Sequence, residues 1–451
     1  MTEAGLQYDS VVVGLGKTGR SAVDYLLAQG QNIAVVDSRE HPPELDTVRD
    51  SYPDLPVYTG SFNDAVLHAA ERLVLSPGVA LQDPAIKSAL DAGVELSSDL
   101  ELFCQKVTTP IIAVTGSNGK SSVATIMSLM IEASGQRAIL AGNIGLPVLD
   151  ALKQDEPDFY VLELSSFQLD TVHSLAPLAA VVLNISPDHM DRYADFTAYV
   201  ESKRHIYRNC QTMVINNDDQ AVAETSITSK KVINYGLGKP GAGEFGLRSE
   251  AGELYLVQGD TVLCRTSLLK TPGRHNISNA LACLALGAAI DLPLPVMIEV
   301  LANFPGLPHR CEHIACIGDV NWFNDSKGTN VGASCAAIEG LADSGGLILI
   351  AGGEGKNADF QALAQAIEKH VKTTILIGKD AKRIAESLAT QSQRVFASSM
   401  EAAVNTAAEL AVPGDSVLLS PACSSQDMFR DFEQRGDTFR ELVGHWQEQT
   451  L

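Results

Sequence analysis

Lys120, Ser121 and Ser122 are the residues of this chain whose types and spacing most directly invite chemistry. They close the stretch Pro110-Ile-Ile-Ala-Val-Thr-Gly-Ser-Asn-Gly-Lys-Ser-Ser122, in which Gly116 and Gly119 bracket a tight turn. Ile111 to Val114 form a short apolar run of the kind that makes a buried parallel strand, and Ser121 onward reads as a helix. A strand, a glycine loop and a helix N-terminus aim backbone N–H groups and the helix dipole at one point, and phosphate suits that point. The backbone of Gly116, Ser117, Asn118 and Gly119 would line such a site. Lys120 would reach the terminal phosphates, and Ser121 or Ser122 would offer a hydroxyl to Mg2+. Val114 stands where the usual phosphate loop begins with glycine, so the match is incomplete. A plain glycine turn is the competing reading, but Gly-Lys-Ser after a strand and before a helix is the context the motif requires.

A second glycine set lies near the start, where Gly14, Gly16 and Gly19 follow an apolar run in full Gly-x-Gly-x-x-Gly spacing. A helix over Ser21 to Gln29 and a second strand, Asn32 to Val36, lead to Asp37, placed where dinucleotide folds hold a ribose. These glycines recognise a diphosphate rather than a nicotinamide, so NAD is one candidate among nucleotide-derived ligands. Arg72 to Gly78 reads as a third strand ending in a tight turn.

The elements that must position these groups alternate along the chain. Phe159–Glu163 and Ala179–Ile185 read as central parallel strands, with Glu163 closing the first and Asp188-His189-Met-Asp-Arg192 following the second. Ligands of open α/β sheets gather at the carboxyl ends of strands, so Glu163, His189 and the loop before Lys120 should converge, with Glu163 as a metal ligand. A helix near residues 196–209 follows, then a hairpin over Glu253–Cys264 turning at Gly-Asp, then a helix entered through Pro272-Gly-Arg-His-Asn-Ile-Ser-Asn279. Gly346–Gly352, Thr373–Gly378 and Ser416–Ser420 are the strands of a third α/β segment. The expected domains are residues 1–97, 98–305 and 306–451, three α/β units in series. His309, Cys311, His313 and Cys316 crowd together, but no second cysteine pair follows, and alternating strand residues explain them better than zinc.

Composition bounds the partners. At 451 residues, with 45% hydrophobic and 20% charged residues, the chain is an ordinary globular protein too long for one core. Lys and Arg number 33 against 55 Asp and Glu, a net charge of -22, which argues against nucleic acid or an anionic membrane as partner. An anionic substrate must then be held by locally placed cations and helix N-termini. No signal peptide or membrane-length apolar run is visible, and the eight cysteines are scattered, as in reduced cytosolic proteins. We expect a cytoplasmic monomer.

With these residues assembled, the chain resembles the Mur ligases, ATP-dependent amide-forming enzymes of peptidoglycan precursor synthesis. Thr115-Gly-Ser-Asn-Gly-Lys120, Glu163-Leu-Ser-Ser-Phe-Gln168, Asp188-His-Met-Asp-Arg192 and His275-Asn-Ile-Ser-Asn-Ala280 stand in the family's order, over nearly the whole chain. Asn324-Asp-Ser-Lys-Gly-Thr-Asn330 is similar to the form carried by the members that add D-glutamate; other members carry a His-containing version. The resemblance implies a Rossmann-like UDP-binding domain, a central ATPase domain of the phosphate-loop type and a C-terminal Rossmann-like domain that brings the amino acid. It implies that Lys17, Thr18, Asp37, Ser38, Arg39, Gly78 and Asn143 hold the uridine diphosphate part of UDP-N-acetylmuramoyl-L-alanine. Asn276, Arg310, Asp325 and Lys327 would cradle ATP beside the phosphate loop, and Thr329, Lys356, Ser425 and Phe432 would position D-glutamate. Ser121, Glu163 and His189 would serve a pair of Mg2+ ions. Lys203, by spacing a solvated helix lysine, is in the family carbamylated by CO2 and would hold one of those ions. Lys17 and Ser38 stand where the family has an apolar residue and Thr, and Gln426 where it has Leu.

Amide formation from a carboxylate requires its activation, and an acyl phosphate made from the γ-phosphate of ATP supplies it. Lys120, Arg310 and the Mg2+ ions would offset the repulsion between the two anions. Asp188 could orient His189, accept a proton from the incoming ammonium, or simply cap a turn. The competing readings are a superfamily ligase for another amino acid or for folate, a nucleotide switch that ligates nothing, and an oxidoreductase, which leaves the phosphate loop unexplained.

Overall fold

The apolar runs become strands buried on both faces, as parallel strands between helices must be. The computed structural model describes residues 7–226, 231–271, 273–342, 345–356, 358–389 and 392–450. Three sheets follow one another along the chain, each flanked by helices. Pro272, the expected entry to a helix, lies outside the described residues.

The first sheet is wholly parallel, in the order Val57–Thr59, Ile33–Asp37, Tyr8–Val13, Ala70–Leu75, Glu95–Ser98. The strand order reverses between Tyr8–Val13 and Ala70–Leu75, which opens a crevice at their carboxyl ends. Gly14, at φ +93, turns the chain there, and a Cβ at Gly19 would run into the Gly14 carbonyl oxygen. The helix begins at Lys17 and not at Ser21. Val57–Thr59 makes the strand before Gly78 the fourth of its sheet and not the third, because three half-buried residues leave no periodic signal.

The central sheet has nine strands. Its parallel part places Ile111–Thr115 between Phe159–Glu163 and Ala179–Val182, with Ala138–Gly142 beyond the former and Thr212–Asn216 and Lys231–Tyr235 beyond the latter. Phe245–Glu250, Glu253–Gln258 and Thr261–Arg265 extend it as an antiparallel meander that contains the expected hairpin. Ala179–Val182 stops before Ile185, whose N–H donates to Asp219 Oδ2 at 2.7 Å and so leaves the ladder. The helix expected to reach Asn209 ends at Arg204 and continues as a 3-10 turn, and Asn209 itself is at φ +55.

In the third sheet Asn324 ends Val320–Asn324, followed in order by Ser416–Leu419, Leu347–Gly352, Val371–Ile377 and Arg394–Phe396, all parallel. Glu312–Ile317 adds an antiparallel edge strand. His309 and Cys311, at φ +61 and +46, belong to the turn before it, so strand alternation accounts for only part of the His/Cys crowding. One apolar cluster runs from Val12 and Leu26 through Phe103 to Tyr160 and Tyr199, joining the first and central sheets in a continuous core. No helix among the described residues is long and apolar enough to cross a membrane.

Candidate active site

The first crevice holds a cavity of about 580 Å³. Lys17, Thr18, Asp37, Ser38, Arg39, Gly78 and Asn143, all seven residues expected at the uridine diphosphate, line it. Asp37 is buried and accepts from the N–H groups of Leu15 at 2.6 Å and Arg39 at 2.9 Å, and from the Arg39 guanidinium at 2.7 Å. Burial raises its pKa, yet the Arg39 and Leu15 hydrogen bonds together bring it below the usual carboxylate value. Both oxygens are therefore spent on fixing the turn and Arg39. Asn143 faces two ways: it lines this cavity, and its Nδ2 donates to Glu163 Oε1 at 2.7 Å.

Glu163 lies at the carboxyl end of its strand, beside the phosphate loop that follows Thr115. The Lys120 ammonium folds back on that loop, donating to Gly116 O at 2.8 Å and Ser117 O at 2.9 Å. Lys203 donates to the same Gly116 O at 3.0 Å and stands 4.7 Å from the Tyr199 ring centroid. It is 2% exposed, which overturns the solvated-lysine reading of its helix. Burial and then the neighbouring Lys120 hold its pKa well below the ordinary lysine value. Burial also lowers Lys120, against the pull of Glu163.

Asp188 and His189 follow the neighbouring strand. The His189 N–H donates to Asp188 Oδ1 at 2.9 Å, and its ring stands edge-on to Phe167, 4.9 Å between centroids. Burial lowers the His189 pKa more than Asp188 raises it, which favours a neutral imidazole with a free acceptor nitrogen. Glu163, Lys120, Lys203, Asp188 and His189 thus converge at one end of the central sheet.

A second cavity, of about 180 Å³, is lined by Asn118, Gly119, Ser122, Asn276, Arg310 and Asp325, among others. The Arg310 guanidinium crosses from the third segment to donate to Ser121 Oγ at 3.0 Å. Asp325 accepts from Ser420 Oγ at 2.6 Å and Cys311 N at 3.1 Å, and burial raises its pKa to about 6.

Three family matches tile the chain: the Mur ligase MurD-like N-terminal domain over residues 8–98, the Mur ligase middle domain over 114–287, and the Mur ligase glutamate ligase domain over 309–423. The chain belongs to the Mur ligase family. It is 49% identical over 434 residues to the UDP-N-acetylmuramoylalanine--D-glutamate ligase of Nitrosococcus oceani, covering 96% of each chain. It is 47% identical to the enzyme of the same name from Marinobacter nauticus, covering 96% of this chain and 97% of that one. The fold is similar to that of the Thermotoga maritima UDP-N-acetylmuramate-alanine ligase, with TM-score 0.62 and 17% identity over 98% of this chain and 100% of the other. It is equally similar to a pseudomurein peptide ligase type C from Methanothermus fervidus, with TM-score 0.63 and 17% identity over 97% and 99% of the two chains. This protein is an ATP-dependent ligase with three Mur ligase domains in series.

Within that ligase, Lys327 lines neither cavity; its ammonium sits 4.3 Å over the Phe432 ring, next to the residues expected at D-glutamate. Burial and Arg310 lower its pKa to about 8. Thr329, Lys356, Ser425 and Phe432 also line neither cavity. Ser425 is buried, whereas Lys356 is exposed at φ +46 on the turn after Gly352.

The residues present fit a magnesium site completed by substrate. Glu163 Oε2 is buried and finds no hydrogen-bond partner among the described residues, and Ser121 Oγ lies at the adjoining helix start. No group of three His, Cys, Asp or Glu among the described residues could hold an ion by itself. Mg2+ commonly takes one or two protein ligands and fills its shell with water and phosphate oxygens, so this sparse set suits it.

Sequence reasoning passed over several groups that shape the site. Asn184 exchanges hydrogen bonds with Asn118, accepting from its N–H at 2.9 Å and donating to its carbonyl at 3.0 Å. Arg192 stacks on Phe167 at 4.5 Å and donates to Gly78 O at 3.2 Å and Val79 O at 3.0 Å, tying the uridine-side turn to the loop of His189. Asn330 reaches Asn118 and Asp188. Arg192 and Asn330 close the stretches Asp188–Arg192 and Asn324–Asn330 singled out in the sequence, so a signal for both was present.

Proposed function

We propose that this ligase joins D-glutamate to the alanyl carboxylate of UDP-N-acetylmuramoyl-L-alanine, using ATP and an acyl-phosphate intermediate, in peptidoglycan precursor synthesis. The observation that carries this reading is Asn143, which lines the large cavity and donates to Glu163 at 2.7 Å. A substrate whose nucleotide fills the cavity that Asp37 and Arg39 line would extend past Asn143 and deliver its far carboxylate beside Lys120. The names of the 45–49% identical relatives support the same substrates.

Gly116 to Ser122 would cradle the phosphates through backbone N–H groups. Lys120, released from its two loop carbonyls, would turn to the γ-phosphate. Arg310, across the interdomain cleft, would neutralise charge on the same oxygens, with Asn276, Asp325 and Lys327 completing the nucleotide site. Glu163, Ser121, His189 and a carbamylated Lys203 would hold the paired Mg2+ ions, whose chemistry is to neutralise phosphate and carboxylate charge. Carbamylation requires an uncharged amine, and the burial of Lys203 favours that form. Thr329, Lys356, Ser425 and Phe432 would orient D-glutamate, and Asp188 would take the proton its ammonium must lose. Residues 1–97, 98–305 and 306–451 would form the three domains, acting as a monomer in the cytoplasm.

The test labels the terminal carboxylate of UDP-N-acetylmuramoyl-L-alanine with heavy oxygen and turns it over with ATP and D-glutamate. One labelled oxygen should appear in phosphate for each amide formed. Unlabelled phosphate would exclude the acyl phosphate, and ADP release without either acceptor would point to a nucleotide switch instead.

A further inference from the structure

We infer that Asn330 is a positioning residue by which the third domain sets the Asp188–His189 loop and the phosphate loop in one step. The inference rests on the proposed ligation and assigns a role within it. Asn330 precedes the helix Val331–Gly340 and caps it, its Oδ1 accepting from Ala333 N at 2.8 Å. That bond fixes which end of the amide is which, since only oxygen can accept there. The Nδ2 is then aimed at the central sheet, where it donates to Asn118 Oδ1 at 3.2 Å and to Asp188 Oδ2 at 3.2 Å. Ala333 N, which only donates, and the Asp188 carboxylate, which accepts, agree on a single orientation of the amide.

Close approach on the same face supports the contact. A Cβ added at Gly332 would lie 3.1 Å from Ser186 Oγ, so the first turn of the helix rests against the loop that leads to Asp188. Capping alone does not explain the residue. Asp, Ser and Thr cap as well as Asn, but they cannot accept from Ala333 and donate to two further acceptors. The demand for an amide comes from the interdomain contact. Thr329, the adjacent residue, belongs to the group proposed to touch D-glutamate. Arrival of the amino-acid domain would therefore lock Asp188 Oδ2 and Asn118 in place together.

The experiment compares Asn330→Asp, Asn330→Ser and Asn330→Ala in the full chain. A cap ranks them in stability, with Asp and Ser near wild type and Ala lowest. The positioning role ranks them differently in kcat: Asp should be worst, having lost the donor and gained a negative charge beside Asp188. We expect kcat to fall about 100-fold for Asp and about 10-fold for Ala and Ser, with KM for the UDP substrate within about threefold. Wild-type kcat in Asp and Ser, with loss only in Ala, would reduce Asn330 to a cap and overturn the inference. If the wild type forms no amide from these substrates, the proposed function fails, and amide hydrogen exchange still decides this point. Exchange across residues 184–192 should quicken in Asn330→Asp; equal exchange in the two proteins would overturn the inference.

Discussion

Replacing Lys120 by Met should abolish most activity while barely moving stability, and the structure sets both magnitudes. The Lys120 Nζ donates to Gly116 O and Ser117 O at 2.8 and 2.9 Å. Gly116 O keeps a donor in the variant, because Lys203 reaches it at 3.0 Å. Ser117 O loses its bond from Lys120, and a buried acceptor left unmet costs about 1–3 kcal/mol. Against that, Met removes an ammonium that burial disfavours, and apolar replacement of a buried charge is often neutral or stabilising. The opposing effects should leave unfolding free energy within about 2 kcal/mol of wild type, a shift of no more than about 4–8 °C in thermal midpoint. Loss of one preorganised donor to a developing anion costs about 100- to 1,000-fold in kcat. The assay is ADP release with both acceptors present, paired with calorimetry on the same preparation. A kcat within tenfold of wild type would refute the phosphate-loop assignment. An activity loss accompanied by a collapse in thermal midpoint would make Lys120 structural.

Three further outcomes are expected. Lys203→Ala should remain folded by circular dichroism yet lose most activity, and removing dissolved CO2 should weaken wild type but not the variant; undiminished activity in Lys203→Ala would exclude the carbamate. Lys356→Ala should raise KM for D-glutamate by about tenfold or more while leaving KM for ATP nearly unchanged, and equal effects on both would count against the assignment. Asp37→Ala should cost about 1.5–3 kcal/mol in urea unfolding at neutral pH, because bonds to a charged acceptor are lost. Since folding lowers the Asp37 pKa, its contribution is complete above about pH 4 to 5 and is lost as pH falls through the lower folded value. The gap between wild type and variant should accordingly shrink on acidification, and a gap that widens would contradict the geometry.

The parts of the site carried by local chemistry were legible in sequence. Gly14, Gly19, Gly116 and Gly119 announced tight backbone geometry, and the apolar runs ahead of them announced parallel strands. The three-residue strand Val57–Thr59 was not legible, being too short and too evenly half-buried to leave a pattern. Lys203 shows a different limit. On its helix it sits between Ser202 and Arg204 like any surface lysine, and its burial comes from Tyr199 on its own helix and Gly116 on a remote loop. Asn143 touching Glu163 and Asn330 touching Asp188 likewise join residues 20 and 142 positions apart. Only the folded sheets bring such pairs together.

The net charge of -22 gains its meaning from where the cations are. Lys120 and Arg310 lie within the influence of Glu163, and Lys327 lies close enough for Arg310 and Lys120 to lower its pKa. Burial is the largest cause of the lowered pKa in each of the three, and neighbouring cations add to it for Lys120 and Lys327. Such a cluster is unfavourable to fold when left to itself, because desolvated like charges repel. Surface pairing would have avoided that cost, and the chain has acidic residues in excess to provide it. Glu163, Asp188 and Asp325 offset that positive charge in part, and an anion held between the phosphate loop and Arg310 would offset more of it. A triphosphate meeting a carboxylate would supply that anion, whereas a neutral ligand or a nicotinamide ring would leave the cluster to the chain's own carboxylates, Glu163, Asp188 and Asp325 among them.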